Sequence, residues 1–113
     1  MQVIEKPWGK EELLEQNNRY VAKRLTMHKG HRCSMQYHQK KVETVYLLSG
    51  KLKIYKGISM EALEEIVMEP NDFLTIGACQ VHRMEAVEDS VYLEASTPEL
   101  DDVVRLEDDY KRK

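Results

Sequence analysis

The sequence predicts an all-β domain, folded as an antiparallel sandwich or a barrel. Short segments rich in Val, Ile, Leu, Tyr or Thr recur along the 113 residues, and turn-forming residues separate them. The predicted strands are 20–27, 33–38, 44–49, 51–55, 63–68, 73–76, 82–86 and 91–96. Lys29-Gly30, Ser49-Gly50 and Pro70-Asn71-Asp72 are turn signals between them. Many short strands at this spacing are typical of an antiparallel sandwich or barrel.

Two other segments have high helix propensity, and the C-terminal stretch is acidic. Residues 10–16 (KEELLEQ) fit either a helical turn or a first strand. Residues 59–65 lie within a predicted hairpin, where a longer loop is equally natural. Four aliphatic residues interrupt the acidic stretch after Thr97, so we expect this stretch to pack back on the sheets. These residues are Leu100, Val103, Val104 and Leu106.

Length, charge and composition narrow the class of protein. We expect one domain over residues 1–113, because this length supplies a single modest core. The net charge of −3 comes from well-mixed acidic and basic residues, which argues against a nucleic-acid partner. We find no apolar run of membrane-spanning length and no secretory leader, so we expect a cytoplasmic protein without a membrane partner.

The two cysteines, Cys33 and Cys79, show no paired spacing, and in a reducing cytosol we expect free thiols. Cys33 lies three residues before Gln36. On a continuous strand it would face the opposite side from Gln36, so we expect it to lie outside any site that Gln36 forms.

Four side chains predict a metal site. Gln36 and His38 are two residues apart and therefore share one face of a strand, and Glu43 follows after a turn. Glu43 also shares a face with aliphatic residues, which is costly for a carboxylate unless it is paired or bound to a metal. With His82, these residues offer two imidazoles, a carboxylate and an amide. This ligand set fits a divalent ion, with Zn, Mn, Fe, Co and Ni as the candidates.

The same residues resemble the signature of the cupin superfamily, which implies a double-stranded β-helix, or jelly-roll barrel. That signature is Gly, five residues, His-x-His, three or four residues, Glu, six residues, Gly. Here it runs from Gly30 through Gln36, His38 and Glu43 to Gly50 at matching spacing, with Gln36 in place of the first His. His82 matches the His of the second cupin motif.

Within that superfamily, the sequence resembles the cupin domain of type II phosphomannose isomerases. The similarity lies in Lys6-Pro7-Trp8-Gly9 and in the segments 20–26, 34–38 and 101–109, in the family's order. The sequence differs from the family where His-His-Arg becomes Gln39-Lys40-Lys41 and where His-Trp becomes Thr44-Val45. The metal motif is thus retained, while the residues beside it are changed.

The resemblance implies a metal-dependent aldose–ketose isomerisation of a sugar phosphate. Glu43, Lys23 and Lys41 are then the candidate acid–base residues. Lys23, Arg24, Arg83 and Arg105 are candidate phosphate contacts, because a phosphate needs fixed positive charge. The resemblance also implies a homodimer, for which the apolar Val3, Ile4 and Trp8 near the start could supply a contact.

Two other functions remain open. One is a non-catalytic cupin that binds a sugar phosphate or nucleotide sugar as an accessory in polysaccharide biosynthesis, which the changes at Lys40-Lys41 and Thr44-Val45 favour. The other is a different metal-dependent cupin enzyme, an oxygenase or an epimerase, because one fold hosts many reactions. His38, Glu43 and His82 would also satisfy the two-His, one-carboxylate set of an iron oxygenase.

Overall fold

Two antiparallel sheets form the protein. A computed structural model describes residues 2–99 and 101–111, which contain eleven strands. The strands are β1 (Gln2–Lys6), β2 (Gly9–Gln16), β3 (Val21–Met27), β4 (Met35–Tyr37), β5 (Glu43–Ser49), β6 (Leu52–Gly57), β7 (Leu63–Met68), β8 (Phe73–Ile76), β9 (Val81–Ala86), β10 (Ser90–Ser96) and β11 (Val104–Glu107). One sheet has the order β1-β2-β3-β10-β5-β8, and the other has the order β11-β4-β9-β6-β7. This architecture is the predicted all-β jelly roll.

Period-two alternation directs one face of each sheet into the core. In β5, residues Glu43, Val45 and Leu47 are buried, while the residues between them are half-buried. The inner faces of β6 and β10 follow the same pattern, with Ile54 and Tyr92 almost fully buried. Because Glu43 occupies an inner position, the sheet places a carboxylate inside the protein.

The eight predicted strands are all present, with ends that agree or shift by at most two residues. The helical alternatives for residues 10–16 and 59–65 are wrong, since the first segment belongs to β2 and the second ends in β7. β2 pairs with β1 on one side and β3 on the other, and this pairing overrides local helix propensity. The part of the chain that the structure describes has no helix long and apolar enough to cross a membrane.

The C-terminal stretch packs back on the sheets, as predicted. It forms β11, which pairs with β4, and β4 in turn contacts β9 through the register pair Gln36–His82. Val103 lines the internal cavity, whereas Leu106 is 43% exposed. Leu100, which we expected in this packing, lies outside the described residues. The stretch thus covers the short strand that carries Gln36.

Candidate metal centre

Three buried side chains from separate parts of the fold meet at one point. His38 directly follows β4, Glu43 is the first residue of β5, and His82 is the second residue of β9. Oε1 of Glu43 lies 3.1 Å from Nε2 of His38 and 3.2 Å from Nε2 of His82. One ligand atom from each of the three residues lies within 4.8 Å of the others. The structure therefore brings three of the four predicted ligands together.

The hydrogen bonds of the two rings indicate which nitrogen atoms are free to bind a cation. Nδ1 of His38 contacts the carbonyl oxygen of Asp102, and Nδ1 of His82 lies 2.9 Å from the carbonyl oxygen of Gln80. A carbonyl oxygen only accepts, so each Nδ1 carries the hydrogen and donates it. In a neutral ring, Nε2 then presents a lone pair toward Glu43.

Two such lone pairs and a carboxylate oxygen, packed within hydrogen-bond distance, repel one another unless a cation lies between them. A proton on a ring or a metal ion satisfies this requirement. Imidazole nitrogen and carboxylate oxygen are common ligands of divalent first-row metals. The Nδ1–H···O=C bonds are also the supporting contacts that metal-binding histidines use. The donor set therefore fits a divalent metal.

Glu43 is held in its ionised form. Burial alone would raise its pKa, but contacts with His38 and His82, and then with Glu94 and Lys41, outweigh burial and hold the pKa well below the usual value. A carboxylate that remains ionised while only 3% exposed supplies the negative charge that a metal cation requires.

Gln36 lies beside this cluster, and its role as the fourth ligand stays a prediction. It is the register partner of His82, and its side chain lines the same cavity. Nε2 of its amide lies 3.9 Å from Sγ of Cys33. The strand pairing therefore places the amide next to a ligand histidine.

Cys33 lies inside the cavity wall, which corrects our expectation that it faces away from Gln36. β4 begins only at Met35, so the alternation of a strand does not extend back to residue 33. Cys33 is 7% exposed, and its Sγ accepts a hydrogen bond from the backbone N–H of Met84 at 3.3 Å. Burial raises the pKa of this thiol to about 11, so it stays protonated. It is not one of the three clustered ligands, and both Cys33 and Cys79 are unpaired, as predicted.

A cavity of about 530 Å³ is lined by the cluster and by all three predicted acid–base residues, Glu43, Lys23 and Lys41. Lys41 and Lys23 both line it, together with Arg105. Nζ of Lys23 lies 3.3 Å from Glu11. Burial lowers the pKa of Lys41, but Glu94 and Glu43 more than offset this and raise it, so the side chain remains an ammonium ion. The cavity thus presents fixed positive charge close to the candidate metal ligands.

Two of the predicted phosphate contacts lie elsewhere. Arg24 does not line the cavity, and it makes a two-point ion pair with Glu12, at 3.0 and 2.8 Å. Arg83 likewise does not line it, and its Nε donates to the carbonyl oxygen of Cys33 at 3.0 Å. Each arginine directly follows a cavity residue, Lys23 or His82, and alternation directs neighbouring strand residues to opposite faces.

Sequence reasoning missed Glu94, which lies on the inner face of β10. Its register partners are Lys23 on β3 and Val45 on β5, and its carboxyl group lies 3.5 Å from Nζ of Lys41. Burial, and then the nearby Glu43 carboxylate, raise the pKa of Glu94 to about 8. An available signal was its position two residues beyond Tyr92, which places a charged residue on an apolar strand face.

Comparison with known proteins identifies the family. The profile described as "Mannose-6-phosphate isomerase C-terminal" matches residues 1–108. The chain belongs to this family. It is 29% identical over 119 aligned positions to the mannose-1-phosphate guanylyltransferase ManC of Salmonella typhimurium, covering 96% of this chain and 23% of ManC. The chain thus spans about a quarter of the length of that relative.

Solved structures show the same cupin fold at low sequence identity. The capsular polysaccharide assembling protein CapF of Staphylococcus aureus superimposes with a TM-score of 0.81 and 17% identity, over 94% of this chain and 34% of CapF. Oxalate decarboxylase of Bacillus subtilis, whose structure was described for its Mn(II) centres, gives a TM-score of 0.80 and 20% identity, over 94% of this chain and 30% of that one. This member of the family therefore folds as a double-stranded β-helix.

Proposed function

We propose that this protein is a metal-dependent isomerase that interconverts an aldose phosphate and its ketose, with mannose 6-phosphate and fructose 6-phosphate as the first pair to test. The observation that carries the proposal is the position of His38, Glu43 and His82 in the wall of a cavity that also contains ionised Lys41. Family membership supports the substrate class. Zn, Mn, Fe, Co and Ni are all candidates, and the Mn(II) centres of a cupin relative add weight to Mn.

The reaction requires one proton to move between adjacent carbons. A base removes the proton from C2 of the open-chain aldose, O1 gains a proton, and an enediol forms. The O2 proton then leaves and C1 gains one, which gives the ketose. A metal ion held by His38, Glu43 and His82 would supply a Lewis acid that polarises the sugar carbonyl.

We assign the proton transfer to Glu94, with Lys41 beside it. Glu94 is a cavity carboxyl group outside the set of three clustered ligands, so it is free to exchange a proton with substrate. Its neighbour Lys41 can donate to a sugar oxygen as charge develops there. We assign the phosphate to Lys23 and Arg105, whose side chains line the same cavity.

The test is turnover of mannose 6-phosphate by protein loaded separately with each candidate metal, measured by a coupled assay for fructose 6-phosphate. We expect turnover with at least one metal and its loss in His82→Ala. Arg24→Ala is the matched control, because Arg24 lies outside the cavity lining. Absence of turnover above the metal-free level with all five metals would contradict an isomerase.

A second candidate function is a non-catalytic cupin that binds a sugar phosphate or nucleotide sugar beside a separate nucleotidyltransferase. The observation in its favour is the match to 23% of a guanylyltransferase, together with the altered residues 39–41. In this case a sugar phosphate or nucleotide sugar raises the melting temperature without turnover. A ligand-independent melting temperature argues against this function.

We further propose that the protein acts in the cytosol as a homodimer. Val3 and Ile4 lie on the edge strand β1 and are 48% and 38% exposed, so this strand offers both apolar side chains and an open edge. Trp8, which we expected beside them, is 3% exposed and packs in the core, so it does not supply this contact. The molar mass in solution, measured by light scattering, tests the dimer. A monomer at the concentrations used for the activity assay would contradict it.

A further inference from the structure

Asp102 bonds to the loop between β4 and β5 with both its side chain and its backbone. Its carboxylate accepts three backbone N–H groups, from Gln39 at 3.0 Å, Lys40 at 2.7 Å and Lys41 at 2.9 Å. These bonds lower the pKa of Asp102 to about 2, so the carboxylate is ionised at neutral pH. One residue of the C-terminal segment thereby holds the start of this loop in a fixed conformation.

The backbone carbonyl of the same residue accepts the Nδ1–H of His38. His38 lies after the last residue of β4, so strand pairing does not fix it. The backbone bond from the N–H of Cys79 to the carbonyl oxygen of His38, at 2.6 Å, holds its main chain but does not orient its ring. The direction of the His38 ring therefore depends on the position of residue 102.

We propose that Asp102 is a positioning residue of the metal centre, which keeps the His38 ring in the tautomer and orientation that directs Nε2 at Glu43. The C-terminal segment then becomes part of the metal site without providing a ligand. The inference is independent of the substrate, because it concerns metal affinity rather than turnover.

His82 provides an internal comparison within the same centre. Its Nδ1 donates to the carbonyl of Gln80, two residues earlier in the chain, so its orientation does not depend on the C-terminal segment. Loss of the Asp102 carboxylate should therefore disturb one ligand histidine and leave the other unchanged.

Asp109 provides a matched control variant in the same C-terminal segment. Its carboxylate accepts two hydrogen bonds from Arg32, at 2.6 and 3.0 Å, and lies 3.6 Å from Arg83. Among the described residues, the hydrogen bonds and ion pairs of Asp109 do not include a candidate metal ligand. Asp109→Ala loosens the attachment of the segment without touching the centre, whereas Asp102→Ala loosens it at His38.

The experiment measures Zn²⁺ affinity by competition with a chromophoric chelator and, in the metal-free protein, the ring ¹⁵N shifts of both histidines. We expect Asp102→Ala to weaken Zn²⁺ binding roughly 10- to 100-fold, the usual effect of removing a group that orients a ligand. Asp109→Ala should change the Zn²⁺ affinity by no more than about twofold, because Asp109 pairs with Arg32 and Arg83 rather than with a candidate ligand. The ring shifts should show a protonated Nδ1 in both histidines of the wild type, and a mixture of protonated and unprotonated Nδ1 for His38 alone in Asp102→Ala.

Equal losses of Zn²⁺ affinity in Asp102→Ala and Asp109→Ala would mean that Asp102 only attaches the C-terminal segment. This result would overturn the proposal. Unchanged affinity in Asp102→Ala would overturn it as well. Asp102→Asn is the second variant, for use if Asp102→Ala does not fold. It keeps one oxygen acceptor for the three N–H groups, so we expect weaker binding than in Asp109→Ala, and wild-type affinity in this variant would refute the role.

Discussion

Replacing Glu94 by Gln should change how the stability of the metal-free protein depends on pH. The pKa of Glu94 rises from 4.5 to about 8 because the carboxyl group is buried and lies beside the ionised Glu43. Between these two values the folded protein holds a proton that the unfolded chain has released. Raising the pH then favours the unfolded chain, so stability is lost from about pH 4.5 to about pH 8. Gln cannot ionise, so Glu94→Gln lacks this loss.

The magnitude follows from the size of the shift. One pKa unit corresponds to ~1.4 kcal/mol, so the shift from 4.5 to about 8 gives an upper bound of roughly 5 kcal/mol. The titration of Glu94 is coupled to the charges of Glu43 and Lys41. We therefore expect the difference in unfolding free energy between Glu94→Gln and the wild type to change by about 2 kcal/mol between pH 5 and pH 8. For a domain of this size that corresponds to a change of roughly 8 °C in melting temperature. The pKa of Glu43 lies well below 4.5, so this residue stays ionised in the folded protein throughout the range from pH 5 to pH 8.

The assay is thermal unfolding of both proteins in a chelating buffer at several pH values, followed by circular dichroism. The melting temperature of Glu94→Gln minus that of the wild type should rise steadily with pH. Glu64→Gln, which removes an exposed carboxyl group on β7, controls for the loss of one negative charge. Parallel curves for Glu94→Gln and the wild type would refute the reasoning, because they would mean that Lys41 keeps Glu94 ionised in the folded protein.

Three further variants test the core, a turn and the cavity. Ile54→Ala removes a fully buried side chain and should lower the free energy of unfolding by about 2–5 kcal/mol, measured by urea titration. A loss below about 1 kcal/mol would contradict the close packing of Ile54 in the core. Gly9→Ala would drive a Cβ into the carbonyl oxygen of Thr26, so we expect a lower melting temperature and poor soluble yield. Wild-type behaviour would count against this β2–β3 contact. Lys23→Ala should weaken sugar-phosphate binding roughly 10- to 100-fold, measured by isothermal titration calorimetry, whereas Arg24→Ala should leave the affinity unchanged. Equal effects of the two variants would contradict the assigned faces of β3.

Several of the strands that sequence reasoning predicted have a period-two pattern. β5 shows why: its inner residues Glu43, Val45 and Leu47 alternate with outer ones, so both the strand and its buried face follow from the sequence. β1 and β11 were not predicted, because their mostly exposed side chains carry little hydrophobic pattern. These edge strands are specified by pairing with β2 and β4, which a single sequence does not display.

The site, like the strands, has residues that were predicted from the sequence and residues that were missed. The spacing of His38 and Glu43 and the matching cupin motif were enough to predict the centre, because these residues are close in sequence and flank a turn. Glu94 and Asp102 were missed because they reach the site from more than 50 residues further along the chain. Their contribution depends on the register of β10 beside β5 and on the course of the C-terminal segment.

The changed residues beside the metal motif alter the chemistry of the cavity without removing its polar groups. Ser96 pairs with Glu43 across β10 and β5, so Glu94, two residues earlier, faces the same cavity one step deeper along the strands. Lys41 precedes β5 and contacts Glu94 at 3.5 Å. At the position of the arginine in the family's His-His-Arg, this chain has a lysine paired with a buried carboxyl group. Such a pair offers both a cation for an oxyanion and a group that exchanges a proton, which are the two functions that isomerisation demands beyond the metal. The altered motif is thus compatible with turnover, because Lys41, the residue of 39–41 that lines the cavity, keeps the positive charge of the arginine it replaces.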